Sequence, residues 1–313
     1  MEMLNLFAPN NPSPWGIWVV IYLFLSSASA GCLFVSSLFP VFRLEVSSPL
    51  TRPGAYGALL LLLLAPIPLL LELGQPGRFL YVLYPGYFNF RSPMSWGGWL
   101  LTLYGLSLLA YLWTLNGGKI WQRGSSNTVS AEDERQTAGV HWWGGLALVL
   151  ALSLPLYTGI ELSVVKAKAA WNTPITPLYM LTSALALGAS LVGIYYIITG
   201  VIRKKEPDFR PLNVLRIILI ATLLLALICL LLQKLVLLTG TVAARQAQAL
   251  VFSGTAYWGG AIFLGILVPL GLLLLPKRHY SYVFCIAFLL VLFGSTLFRY
   301  LLVVKGILAA FLS

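Results

Sequence analysis

Few residues of this sequence can do acid–base chemistry, and those few gather at the ends of long apolar runs. In LPLYTGIELS, Glu161 follows Tyr157 by four positions, so a helix would set phenol and carboxylate one above the other on one face. Glu72 closes another apolar run in ELGQPGRF, six residues ahead of Arg78 and in the same inter-span stretch as Asn89 and Arg91. Near the start, Trp15, Trp18 and Tyr22 recur at helical spacing, and Ser26 and Ser29 continue that side. A carboxylate beside a phenol offers a path for protons. Aromatic walls with a few convergent polar groups suit a small amphipathic ligand. A quinone answers that description: its tail prefers lipid, its ring stacks on aromatics and its carbonyls accept hydrogen bonds. The candidate proton-handling residues are Glu72, Tyr157 and Glu161, and the candidate binding residues are Tyr22, Trp18, Tyr157, Glu72 and Arg91. Other readings stay open. Trp15 and Trp18 suit an interfacial aromatic belt better than direct contact with a ligand, and Glu72 suits a rim ion pair with Arg78 or Arg91.

The elements that must position these residues are membrane helices. Of 313 residues, 59% are hydrophobic and 9% charged, against about 25% charged in soluble domains. Apolar runs near the length needed to cross about 30 Å of hydrocarbon recur along the sequence. They are continuous and do not alternate, which argues against a β-barrel. The reading is an all-α polytopic membrane protein with about eight spans: 15–40, 54–73, 95–115, 139–159, 176–201, 213–237, 256–276 and 281–304. They form a single integral membrane domain of two four-helix bundles, 15–159 and 176–304. The first span lacks a basic leader and a cleavage site, so it is read as retained. The gaps leave no room for a soluble domain; the longest, 116–138, reads as a polar loop. LSSASAG in span 1 is echoed by LTSALALG in span 5, a pattern that ordinary small-residue packing explains better than a duplication.

The net charge of +11 is spread over short loops and is no nucleic-acid signature. Eleven Lys and Arg fall in the loops after spans 1, 3, 5 and 7; five (Arg78, Arg91, Lys166, Lys168, Arg245) fall in those after spans 2, 4 and 6. The positive-inside rule then puts both termini on the outer, periplasmic face, with 74–94, 160–175 and 238–255. The stretch 72–99 is long, rich in aromatics and sparsely charged, unlike a bare connector, and reads as a surface that packs against the protein or a partner. Cys32, Cys229 and Cys285 lie in apolar runs at no metal-like spacing, which leaves no iron–sulfur or zinc motif. His141 and His279 fall short of the four axial ligands of a di-haem cytochrome.

Several stretches carry a resemblance. SSASAGCLF, ELGQPGRF with FNFRSPMSWGGW, and LPLYTGIELS with AAWNTPITPLYMLTSAL are similar, in order over 15–200, to segments of the NrfD/PsrC family, the quinone-reactive membrane subunits of polysulfide reductase and related respiratory complexes. Residues 201–313 match in hydropathy and length alone, and eight spans suit the polysulfide reductase branch. The resemblance implies a haem-free subunit that binds menaquinone or ubiquinone in a bacterial or archaeal cytoplasmic membrane. It implies a four-cluster iron–sulfur partner that in turn contacts a molybdopterin catalytic subunit. Tyr157 takes the place of a family tyrosine at the quinone headgroup, and Glu72 that of a carboxylate before Leu-Gly. Tyr22 stands where the polysulfide reductase branch has a histidine. A tyrosine can donate a hydrogen bond there but cannot take up a proton near neutral pH.

The expected function is a quinone-binding anchor that passes electrons between the quinone pool and an iron–sulfur subunit. The rivals are an ion- or proton-translocating subunit and a purely structural anchor. The near absence of charge at mid-span disfavours a transporter. Arg216 and His141 are isolated in the inner halves of the spans, so turnover is expected to move little net charge across the membrane.

Overall fold

A computed structural model describes residues 16–42, 48–72, 77, 84, 93–116, 131–204, 208–275 and 280–307. Among them there are helices and turns and no strand. The helices are α1 (Ile17–Val41), α2 (Ser48–Leu64), α3 (Pro66–Glu72), α4 (Pro93–Asn116), α5 (Ala131–Ser163), α6 (Thr176–Ile202), α7 (Phe209–Thr239), α8 (Val242–Val251), α9 (Val268–Leu274) and α10 (Tyr280–Tyr300). Two π-helical segments, Ala256–Leu267 and Leu301–Lys305, lead into α9 and continue α10. Eight of these helices or continuous helix pairs are long and apolar enough to cross a membrane. The protein is thus a multi-pass integral membrane protein, as its apolar runs indicate.

Boundaries differ from the sequence reading where proline and capping chemistry intervene. The second span starts at Ser48 and breaks at Ala65, because Pro66 opens a new short helix and cannot continue the hydrogen-bond ladder of the old one. The fourth span extends back to Ala131, so the end of the predicted polar loop is helical. The predicted loop 238–255 contains α8, whose first turn is capped by Thr241 Oγ1 accepting from the Ala244 amide at 3.3 Å. Asp208 caps α7 in the same way, accepting from Arg210 N at 3.2 Å.

Two helices sit at the centre. α1 packs on α2, α5 and α6, and α6 packs on α1, α5, α7 and α10. α1 and α6 cross where Gly31 meets Gly188. A Cβ on Gly31 would strike the Ala184 carbonyl, and one on Gly188 would strike the Gly31 backbone. Lipid tails are as apolar as leucine, so helices in a membrane gain by close packing, and small residues permit it. The two echoing segments are therefore the two sides of one contact, and both helices carry Tyr-x3-Ser-x4-Gly: Tyr22, Ser26, Gly31 and Tyr179, Ser183, Gly188. Leu60, Leu63, Leu106, Leu109, Ile228 and Leu289 point outward on other helices, as lipid-facing residues do.

The segment after α5 is held by side chains. Trp171 is buried, and its indole N–H donates to the Leu302 carbonyl at 2.6 Å, tying this segment to the π-turn that ends the last span. Asn172 Nδ2 donates to Ser163 O at 2.7 Å, and Thr173 pairs with Thr176. Lys168 lies over the Trp171 ring at 4.2 Å, and burial lowers its ammonium pKa. Replacing Trp171 with Phe keeps an aromatic ring but deletes the N–H. The expected loss is about 1–3 kcal/mol of stability, read as a lower melting temperature of the detergent-purified protein. Wild-type melting would show that ring packing alone holds the segment.

Candidate functional site

The last two turns of α5 present two faces. Gly159 turns towards α6, where a Cβ would strike the backbone of Pro177, so the glycine lets the two helices close up. Thr158 is buried and returns its hydroxyl to the Pro155 carbonyl at 2.9 Å. Tyr157 and Glu161 point to the other side and are half-buried. Tyr157 and Glu161 stand one turn apart on the same face, within electrostatic reach of each other, and the tip of the Tyr157 ring lies against Gly97 of α4. Tyr22 of α1 is buried, at 8% exposure, within electrostatic reach of Glu161 and Tyr157. Three helices thus bring two phenols, one carboxylate and the bare backbone of Gly97 together at the Ile17 end of α1.

Below this site runs a column of hydroxyl pairs. Ser29 Oγ donates to the Ala58 carbonyl of α2 at 2.7 Å and lies 2.9 Å from Tyr104 Oη of α4. Seven residues further along both helices, Ser36 donates to Thr51 O at 2.5 Å, while Tyr111 Oη donates to Ser36 O at 3.1 Å. Tyr22 and Gly97 stand seven residues before Ser29 and Tyr104, so the site is the top level of one heptad-spaced series. Inter-helix hydrogen bonds in membranes are worth about 0.6 kcal/mol each. Their part here is to fix the register of α1, α2 and α4 more than to add stability.

The sequence-predicted residues divide. Tyr22, Tyr157 and Glu161 come together. Trp18 shares their end of α1 but is 41% exposed and faces out of the protein, as the belt reading has it. Glu72 is the last residue of α3, and its side chain, like Arg91, Arg78, Asn89, Trp15 and His279, lies outside the described residues. Arg299 does not join the cluster. It is fully buried in α10, donating from Nη1 to Ser295 O at 3.1 Å and from Nη2 to Ser183 Oγ at 2.9 Å beside Tyr179. Lys234 lies over Trp258 at 4.3 Å. Sequence reasoning passed over Gly97, Tyr104 and Tyr111. The heptad step linking GGWLLTLYGLSLLAY on α4 to YLFLSSASAGCLFVSS on α1 was the signal available.

The comparisons with known proteins agree with this architecture. The family profile described as Polysulphide reductase, NrfD matches residues 5–310. A selenate reductase subunit of Mesobacillus selenatarsenatis is 25% identical over 98% of this protein and 77% of its own length. The Hdr-like menaquinol oxidoreductase integral membrane subunit of Archaeoglobus fulgidus is 26% identical over 89% of this protein and 67% of its own length. A polysulfide reductase subunit of Wolinella succinogenes is 25% identical over 97% and 98% respectively. A profile that spans nearly the whole sequence makes this protein a member of the polysulphide reductase NrfD family.

Proposed function

We propose that this protein is the quinone-reactive membrane subunit of a reductase complex, exchanging electrons between a membrane quinone and an iron–sulfur subunit that serves a molybdopterin catalytic subunit. The observation that carries the reading is the convergence of Tyr157, Glu161 and Tyr22 at one end of a largely apolar helical body. Membership of the NrfD family supports it, as does the name of the archaeal relative, a menaquinol oxidoreductase subunit. In this reading the protein is a single membrane domain of two four-helix bundles in a bacterial or archaeal cytoplasmic membrane. Both termini and the site lie on the outer side.

The residues suit a quinone headgroup, menaquinone or ubiquinone. Tyr157 and Tyr22 are hydroxyl donors, Glu161 is an acceptor, and Trp99 Nε1, two residues along α4 from Gly97, is a buried donor without an acceptor. A bound quinol would supply two electrons and two protons. Tyr157 orients the headgroup through its hydroxyl, and Glu161 is the group beside it that can hold a proton. Tyr22 adds a donor that does not change charge near neutral pH. Glu72, Trp18 and Arg91 complete the proposed rim, Glu72 as a second proton-handling group.

Tyr157→Phe tests the reading, because it keeps the ring and removes the hydroxyl. The assembled complex is expected to lose about 1–3 kcal/mol of transition-state stabilisation, roughly five- to 150-fold in kcat/KM for quinol. Wild-type quinol kinetics in an assembled variant would take Tyr157 out of the site. The stretch 77–93 is the proposed dock for the iron–sulfur partner, and charge reversal at Arg78 or Arg91 is expected to reduce co-purification of that subunit. Full recovery of the complex from both variants would relocate the dock. With the site on the outer side and electrons leaving on that side, turnover is expected to be close to electroneutral. Sealed, quinone-loaded liposomes carrying the whole complex report this through a potential-sensitive dye; an uncoupler-sensitive potential would overturn it.

A further inference from the structure

We infer that Gly97 is a positioning residue for the Tyr157 phenol: its missing side chain is the seat of the phenol tip. The inference rests on the reading of Tyr157 as the residue that meets the quinone headgroup.

Two observations carry it. A Cβ built on Gly97 would overlap Tyr157 Oη, Cζ and Cε1, the three nearest heavy atoms outside its own stretch of helix backbone. All three belong to one side chain, so the absent Cβ makes room first for this ring tip. The second observation is the contrast with Gly105, eight residues along α4, where a Cβ would meet Leu62 Cδ2 at an ordinary 3.5 Å. Helix packing on α4 therefore does not demand glycine in general; the demand at 97 is local to the phenol.

The consequence is specific. Alanine is the better helix former, so Gly97→Ala leaves α4 able to form, and the clash falls on the end of a side chain able to rotate away. The phenol must move, taking its hydroxyl away from its place near Glu161. The decisive experiment is a double-variant cycle in the purified complex: Gly97→Ala, Tyr157→Leu, both together, and Gly105→Ala as control, each followed by quinol kinetics and by melting temperature, with Tyr157→Phe measured beside them. The expected result is a roughly tenfold loss of kcat/KM in Gly97→Ala and wild-type kinetics in Gly105→Ala. The double variant is expected to be no slower than Tyr157→Leu alone, because leucine lacks the ring tip that a Cβ at 97 would strike. Losses that multiply in the double variant would overturn the inference. If Gly97→Ala fails to assemble and Tyr157→Leu does not relieve the failure, Gly97 is a packing glycine and the inference falls. Should Tyr157→Phe keep wild-type kinetics, it is the reading of the site that fails. The melting temperatures then decide the contact by themselves: non-additive shifts keep Gly97 as the seat of the phenol, and additive shifts remove it.

Discussion

The crossing of α1 and α6 is the contact on which the rest of this structure depends. Helices in a membrane have no water to escape, so what binds them is the closeness of their surfaces. At Gly31 and Gly188 the surfaces are the backbones themselves. With its smallest face committed to α6, α1 turns Tyr22, Ser29 and Ser36 towards α2, α4 and α5. The hydroxyl pairs with Tyr104 and Tyr111 follow from that orientation. So does the approach of Tyr22 to Glu161. A larger residue at either glycine would separate the helices and move every level of the column together.

Polar groups in this body are arranged by the need for partners. An unsatisfied hydroxyl or amide in hydrocarbon costs several kcal/mol, so most buried ones are answered, either by a carbonyl of their own helix or by a neighbouring helix. Ser29 is answered by Ala58 and Tyr104, Ser36 by Thr51 and Tyr111, Trp171 by Leu302, Arg299 by Ser183 and Ser295. The Tyr-x3-Ser-x4-Gly pattern serves both central helices but meets different partners. Tyr22 lies within electrostatic reach of Glu161 of α5, and Tyr179 within that of Arg299 of α10. A carboxyl group sits near the phenol on one side and a guanidinium on the other. Of the two, the half-buried Glu161 is the group with access to the rim, whereas Arg299 is enclosed.

Much of the fold was legible because hydropathy and helix length are local properties. All eight spans stand where the apolar runs put them, and Tyr157 with Glu161 followed from helical spacing alone. The misses have equally local causes. Pro66 splits a span whose hydropathy is continuous. Thr241 caps a short helix in a stretch whose apolar content is too low to read as a span. The π-turns at Ala256–Leu267 depend on a hydrogen-bond register that side-chain pattern does not encode. Trp18 shares Tyr22's stripe in the sequence, yet the stripe is wider than the buried face. Gly97 was hidden for a different reason. Its role is an empty volume filled from another helix, and a single helix's sequence carries no mark of what fills it.

The hydroxyl column bears on whether protons can travel through this half of the protein. Its levels are separated by seven residues on both α1 and α4, a rise of about 10.5 Å. A hydrogen bond between oxygens spans about 2.7–2.8 Å. Each step would therefore need a file of about three waters, in a stretch where Leu33, Val35, Leu108 and Leu112 are buried against their neighbours. Within a level the same hydroxyls are already engaged with carbonyls of α1 and α2, which fixes them as donors and removes the freedom to reorient that proton relay requires. Rigid donors spaced a heptad apart make a scaffold that keeps three helices in register. Proton exchange in the proposed reaction then belongs to the top level, where a carboxyl group and two phenols occur together.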